Sequence, residues 1–99
     1  MAYRYVFTPA CIRDVEDLTR KRQHTLLVAM LVAHIPAILA DPQGTGEPKR
    51  GALRGCYGFT LTRSGGAAYR LIYTLRDDVV VFLAIGEHDA AYRDAERRV

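Results

Sequence analysis

The sequence predicts an α+β fold: a helical hairpin packed on one face of a mainly antiparallel four-stranded sheet, with an N-terminal strand and a short C-terminal helix. Three observations carry this. Apolar residues recur at helical spacing through the first part of the chain. From Cys56 onward the period changes to two. A Pro- and Gly-rich stretch, Asp41 to Arg50 (DPQGTGEPKR), separates the two regimes and reads as a loop.

The elements follow in order. Tyr3 to Phe7 alternate in an aromatic, β-branched context, which predicts a first strand. Thr8 and Pro9 read as an N-cap and first helical residue, and Ile12, Val15 and Leu18 continue at helical spacing. The basic run Arg20-Lys21-Arg22 marks the end of that helix or a turn between two helices. A second helix spans about Gln23 to Ala40. Its stripe is Leu26, Leu27, Met30, Leu31, His34 and Ile35, and Pro36 is expected to kink or end it. Cys56 to Arg63 and Ala68 to Arg76 are strands joined by a Ser64-Gly65-Gly66 turn. Asp77-Asp78 is a tight turn. Val79 to Ile85 is a near-continuous apolar run, as expected of a central strand covered on at least part of both faces. Asp89 to Arg98 is polar and reads as a short helix.

Alternation assigns the faces. Tyr57, Phe59 and Leu61 share one side of their strand, as do Tyr69, Leu71, Tyr73 and Leu75 of the next. These apolar sets must meet the helices. Arg70 then lies on the opposite face, with Gly58 and Thr60 near it. An arginine over small side chains implies a pocket on a concave, open surface.

The 99 residues make one domain, residues 1–99, with a core just large enough to fold alone. A composition of 49% hydrophobic and 25% charged residues excludes extensive disorder. A net charge of +3 permits nucleic-acid binding without requiring it. Cys11 and Cys56 have no metal or CxxC spacing and read as inert buried side chains, in keeping with a reducing cytoplasm. No signal-peptide pattern opens the sequence, and the apolar stretch Leu26 to Ile35 is too short to span a bilayer. A cytoplasmic protein without membrane partners is therefore expected.

The stretch Pro48 to Ala95 resembles the RelE/ParE toxin superfamily of type II toxin–antitoxin systems. The matching pieces are Leu53-Arg54-Gly55-Cys56-Tyr57, Ala68-Tyr69-Arg70-Leu71-Ile72-Tyr73, Val79-Val80-Val81-Phe82-Leu83, and Ile85-Gly86-Glu87-His88-Asp89 followed by Tyr92. The Tyr-Arg-Leu-Ile-Tyr segment is the most characteristic, and the opening strand and helical hairpin fit the family's order of elements. The resemblance implies a cognate antitoxin as partner. In the RelE-like branch it implies entry into the ribosomal A site and mRNA cleavage. In the ParE-like branch it implies inhibition of DNA gyrase by a protein with no nuclease site. One fold serves both, so fold does not choose between them.

Metal-independent RNA cleavage needs a base for the 2′-hydroxyl, a cation for the phosphate and an acid for the departing 5′-oxygen. The resemblance places Arg70 at the family's strand arginine, suited to phosphate by its planar, permanently charged fork. It places His88 and Tyr92 at the family's C-terminal basic or imidazole group and tyrosine. His88 suits proton transfer near neutral pH, with Glu87 or Asp89 beside it to orient the ring. Against this stand blander readings: Arg70 as a structural ion-pair partner of Asp77, Asp78 or the C-terminal region, His88 as a surface histidine, and Tyr92 as an anchor for the last helix. His24 and His34 belong to the hairpin, one exposed and one partly buried. The family's strand lysines are absent, their positions being Gly58 and Thr60. Lys49, Arg50, Arg54 and Arg63 form a basic group near the loop and strand end, and Arg20 to Arg22 form another. Charge runs are ordinarily solvated faces, but runs flanking a pocket would suit RNA phosphates. No cofactor or metal motif is visible. The leading expectation is a ribosome-dependent mRNA endoribonuclease. The alternatives are a gyrase-inhibiting ParE-like toxin and a catalytically inactive relative.

Overall fold

The central strands set the architecture. In the computed structural model, which describes residues 3–61 and 68–99, Tyr69–Arg76 (β4) and Val79–Glu87 (β5) pair antiparallel across the Asp77-Asp78 turn. Asp77 takes φ 55°, the left-handed conformation that a short polar residue tolerates in a tight turn. Cys56–Leu61 (β3) pairs antiparallel with β4, placing Thr60 opposite Arg70 and Gly58 opposite Ile72. Arg4–Phe7 (β1) adds to the far side of β5 in parallel, with Arg4 opposite Val79 and Phe7 opposite Phe82.

The sheet has five strands rather than the expected four. Glu47–Pro48 (β2) pairs with Gly58 and Tyr57 of β3, giving the order β1-β5-β4-β3-β2. The Asp41 to Arg50 stretch is therefore not all loop. It holds a short helix, Pro42–Thr45 (α4), capped by the Asp41 carboxylate on the Gly44 N–H at 3.2 Å, and then β2. Proline serves both pieces: Pro42 opens a helix, where its missing N–H costs nothing, and Pro48 lies on an edge strand.

The helical hairpin forms as expected. Pro9–Arg20 (α1) starts at Thr8, whose hydroxyl oxygen accepts the Cys11 N–H at 3.1 Å. It ends with Arg22 at φ 58°, the Arg22 N–H bonding Thr19 O and the Gln23 N–H bonding Leu18 O. This left-handed end is a Schellman cap in which arginine stands where glycine is commonest. The second rod is His24–Ala29 (α2), a π-helical turn Met30–His34, and Ile35–Ala40 (α3), continuous in right-handed helical backbone. Pro36 does not end it. The wide turn, in which the Ile35 N–H reaches Met30 O, lets the helix restart with Pro36 in its first turn.

Two apolar clusters hold the sheet. On the hairpin side Leu18, Leu26, Leu27, Met30, Ile35 and Ile38 meet Leu61, Tyr69, Leu71, Tyr73, Val80 and Phe82. Tyr57 and Phe59 pack against that cluster, so the expected faces are borne out. Two residues of the predicted helical stripes, Ile12 and Leu31, are instead exposed. The opposite face corrects the open surface expected of it. His88–Arg98 (α5) lies across it, burying Ala91 and Ala95 against Ile72, Leu83 and Ala84. Alanines let helix and strand approach closely, which is how so polar a helix packs at all. Among the described residues no helix is long and apolar enough to cross a membrane.

Candidate active site

Tyr92 is the centre of the candidate site. It lies in α5 over the face of the sheet that carries Gly58 and Arg70, and three basic side chains gather at its ring. The Lys49 ammonium stands 4.8 Å from the ring centroid and the Arg70 guanidinium 5.9 Å from it. The His88 ring meets it edge-on at 4.8 Å between centroids. Cations over an aromatic face are attracted by its negative quadrupole. Thus the three residues expected to carry chemistry, Arg70, His88 and Tyr92, are brought together, with Lys49 of the expected RNA-binding group beside them.

Each is positioned by its element. Arg70 is fixed by the β3–β4 and β4–β5 ladders, opposite Thr60 and Gly86. It faces away from the helical hairpin, as alternation required. Its Nε is buried with no hydrogen-bond partner among the described residues. Neither Asp77 nor Asp78 holds it, and Asp78 pairs with Arg4 at 3.3 Å. The structural reading of Arg70 as the ion-pair partner of that turn therefore fails. His88 opens α5: its backbone N–H donates to Ala68 O at 3.1 Å, and its Nδ1 lies 3.0 Å from the Asp89 carboxylate, the orienting contact expected. The tyrosine hydroxyl, like the arginine Nε, is buried and unpartnered among the described residues. A buried donor left without a partner is costly, and two of them on neighbouring side chains describe a place suited to an acceptor.

Lys49 follows β2. Its backbone N–H donates to Cys56 O at 3.0 Å, and its ammonium pairs with Glu47 at 2.8 Å, with the side chain only 17% exposed. Burial acts to lower its pKa, but the Glu47 carboxylate and the Tyr92 oxygen outweigh this and leave it above the ordinary value. The Lys49 hydrogen bond holds the Glu47 carboxyl below the usual range, and the Arg70 charge adds to that lowering. Glu47 was not legible as a site residue. The available signal was its spacing: in an extended segment, residues two apart share a side.

The rest of the basic group is not brought to Tyr92 in the same way. Arg50 and Arg54 are exposed on the connection between β2 and β3. Arg63 and the Ser64-Gly65-Gly66 turn lie outside the described residues. Of the other run, Arg20 pairs with Asp17, and Lys21 lines a separate cleft with Asp17, Glu87 and Asp94. His24 is exposed and His34 half-buried against Phe59, as expected of hairpin residues.

Compared with known families, residues 8–96 match the ParE-like toxin of type II bacterial toxin–antitoxin systems. The chain belongs to this toxin family. Such a toxin is one half of a pair, the other half being an antitoxin protein. Two solved structures resemble it. One is a mutant of the Escherichia coli toxin RelE in the free state, with 28% identity, a TM-score of 0.72, and coverage of 100% of this chain and 99% of the other. The second is the RelBE2 toxin–antitoxin complex from Mycobacterium tuberculosis, with 26% identity, a TM-score of 0.61, and coverage of 89% of this chain and 100% of the other. No curated relative matches the chain significantly. The toxin thus has the RelE fold.

Proposed function

We propose that this toxin is a ribosome-dependent mRNA endoribonuclease that arrests translation in the cytoplasm until its antitoxin binds. The observation that carries the reading is the convergence of Lys49, Arg70 and His88 on the Tyr92 ring, with the Arg70 Nε and the Tyr92 hydroxyl both buried and without a hydrogen bond among the described residues. A phosphodiester supplies what those donors lack. Arg70 holds the scissile phosphate and stabilises the charge that gathers on it. His88, oriented by Asp89, takes the proton of the 2′-hydroxyl. Tyr92 positions the nucleotide through its ring face and hydroxyl. Arg50, Arg54 and Arg63 steer the surrounding RNA through phosphate contacts, which carry no sequence information of their own.

The test is cleavage of mRNA on purified ribosomes, with 5′ ends mapped by primer extension and folding checked by thermal melting. Arg70→Ala should lose about two to three powers of ten in rate, while Arg70→Lys recovers only part of it, because a point charge does not replace a planar fork. His88→Ala should lose roughly two to four powers of ten. His88→Gln should not restore activity, since an amide does not shuttle a proton. Unimpaired cleavage by His88→Ala would remove His88 from the mechanism. The gyrase-directed reading draws on the name of the matching family and on the bare strand positions Gly58 and Thr60. It takes over if the unmutated toxin leaves ribosome-bound mRNA intact but blocks DNA supercoiling by gyrase.

A further inference from the structure

We propose that Lys49 is a catalytic residue of this toxin: its ammonium, admitted to the site by the missing side chain of Gly58, gives its proton to the departing 5′-oxygen. This rests on the ribonuclease reading above and adds the identity of the acid.

The first argument is spatial. A Cβ on Gly58 would stand 2.8 Å from Lys49 Cε, 2.9 Å from the Tyr92 hydroxyl and 3.5 Å from Lys49 Nζ. The lysine tip and the phenol therefore fill the volume that any other residue of β3 would claim. The Gly58 backbone is not left-handed, so nothing in its conformation asks for glycine. Glycine inside a strand is destabilising, and here that goes with letting a side chain from just beyond β2 cross over the sheet. The position that looked, from the sequence, like the loss of a cation is the opening through which another one enters.

The second argument is restraint. A surface lysine extends into water and keeps its rotamer freedom. Lys49 is held by its own N–H on Cys56 O, by its ammonium on Glu47 and by the Tyr92 ring. These contacts leave it charged across the neutral range, so it carries a proton to give. The Arg70 guanidinium and the His88 ring meet the same Tyr92 ring, at 5.9 and 4.8 Å from its centroid. A phosphate held by Arg70 has one titratable base and one protonated amine within reach.

The step balances. The 2′-oxygen forms a bond to phosphorus as its proton passes to His88. The P–O5′ bond breaks with its electron pair going to O5′, and one Lys49 N–H proton moves to that oxygen. A 2′,3′-cyclic phosphate, a 5′-hydroxyl, a protonated imidazole and a neutral amine result, and proton exchange with water resets both side chains.

The deciding experiment changes the leaving group. Messenger RNA is prepared with sulfur replacing the bridging 5′-oxygen at the mapped cleavage position and compared with normal mRNA on ribosomes. A thiol has a pKa near 8.5 and leaves as thiolate without help. Lys49→Ala should cleave normal mRNA about 10²–10⁴-fold more slowly than the unmutated toxin, yet cleave the sulfur substrate within roughly tenfold of it. Lys49→Met, which keeps the length of the side chain but carries no proton, should show the same selective rescue. Equal loss by Lys49→Ala on both substrates would make Lys49 a phosphate-binding cation and overturn its role as acid. Full activity of Lys49→Ala on normal mRNA would overturn the proposal while leaving the ribonuclease reading intact. An unmutated toxin that cleaves neither substrate would overturn that reading, and the assignment of Lys49 with it.

Discussion

Removing the Arg98 side chain should unfasten α5 and, with it, the candidate site. β1 ends its ladder with β5 at Phe82, and the next polar groups along β5 are taken by two side chains. Arg98 donates to Leu83 O at 2.8 Å, and the Asp14 carboxylate of α1 accepts the Ile85 N–H at 3.1 Å. The two side chains also pair with each other at 2.7 and 3.2 Å, a two-pronged contact, with Asp94 at 3.8 Å as a further partner of the guanidinium. Asp14 is 12% exposed and Arg98 21%. The Asp14 hydrogen bond is the main cause that raises the Arg98 pKa, so the guanidinium stays charged at any working pH. Arg98→Ala leaves a mostly buried carboxylate without its cation and a strand carbonyl without its donor. Breaking a fully buried pair costs roughly 3–5 kcal/mol, and residual water access here brings that to about 2–3 kcal/mol. In a domain of this size each kcal/mol moves the melting temperature by about 4–8 °C. The expected drop is thus on the order of 10–20 °C, read by far-ultraviolet circular dichroism. Asp14→Ala/Arg98→Ala should lose less than the two single changes added together, because the stranded charge is gone. A single Arg98→Ala protein melting within about 2 °C of the parent would refute the reasoning.

Tyr73→Phe should lower stability by about 1–2 kcal/mol, measured by urea unfolding, because its buried hydroxyl donates to Pro42 O at 2.5 Å and ties the short helix α4 to the sheet. Burial pushes the Cys11 thiol up to about 12 and raises Cys56. Both stay protonated at pH 8, so a thiol reagent should label neither in the native toxin and both in urea. Rapid native labelling of Cys11 would show that α1 is not packed as described. For Glu47 the sign is that of a carboxyl with a depressed folded pKa. Its pairing with Lys49 is in force above the ordinary carboxylate value and is lost as pH falls through the lowered one. Carboxyl-detected NMR titration should find Glu47 below the ordinary value in the parent and returned towards it in Lys49→Ala.

Most of the fold could be read from the residues because local rules and packing agreed. Thr8-Pro9 starts a helix on backbone chemistry alone, and the Asp77-Asp78 turn follows from short polar residues between two apolar runs. The period-two faces of β3 and β4 placed Arg70 on the side away from the hairpin. What could not be read was decided by contacts distant in sequence. Pro36 looked like a helix end because its local effect is disruptive, yet a π turn just ahead of it absorbs the defect. α5 was legible as a short helix, but its place across the sheet was not, since its buried residues are two alanines whose value depends on closeness to Ile72, Leu83 and Ala84. In the candidate site Arg70, His88 and Tyr92 were identifiable one by one, but Gly58 could be read only as a bare strand position. Its meaning lies in what fills its empty side, and alternation along one strand says nothing about a lysine arriving from another.

The parallel pairing of β1 with β5 also orders events during biosynthesis. Arg4 and its partner Asp78 are 74 residues apart, so at about 5–20 residues per second the first strand waits roughly 4–15 s for the strand beside which it belongs. Through that interval Tyr5 and Val6 sit on an unpaired edge, the kind of surface from which misassembly starts. Lys49, Arg70 and Tyr92 leave the translating ribosome one after another, and Arg98, which fastens the helix that carries Tyr92, follows them all. The candidate site therefore gains its fastening only after all of its own residues have emerged.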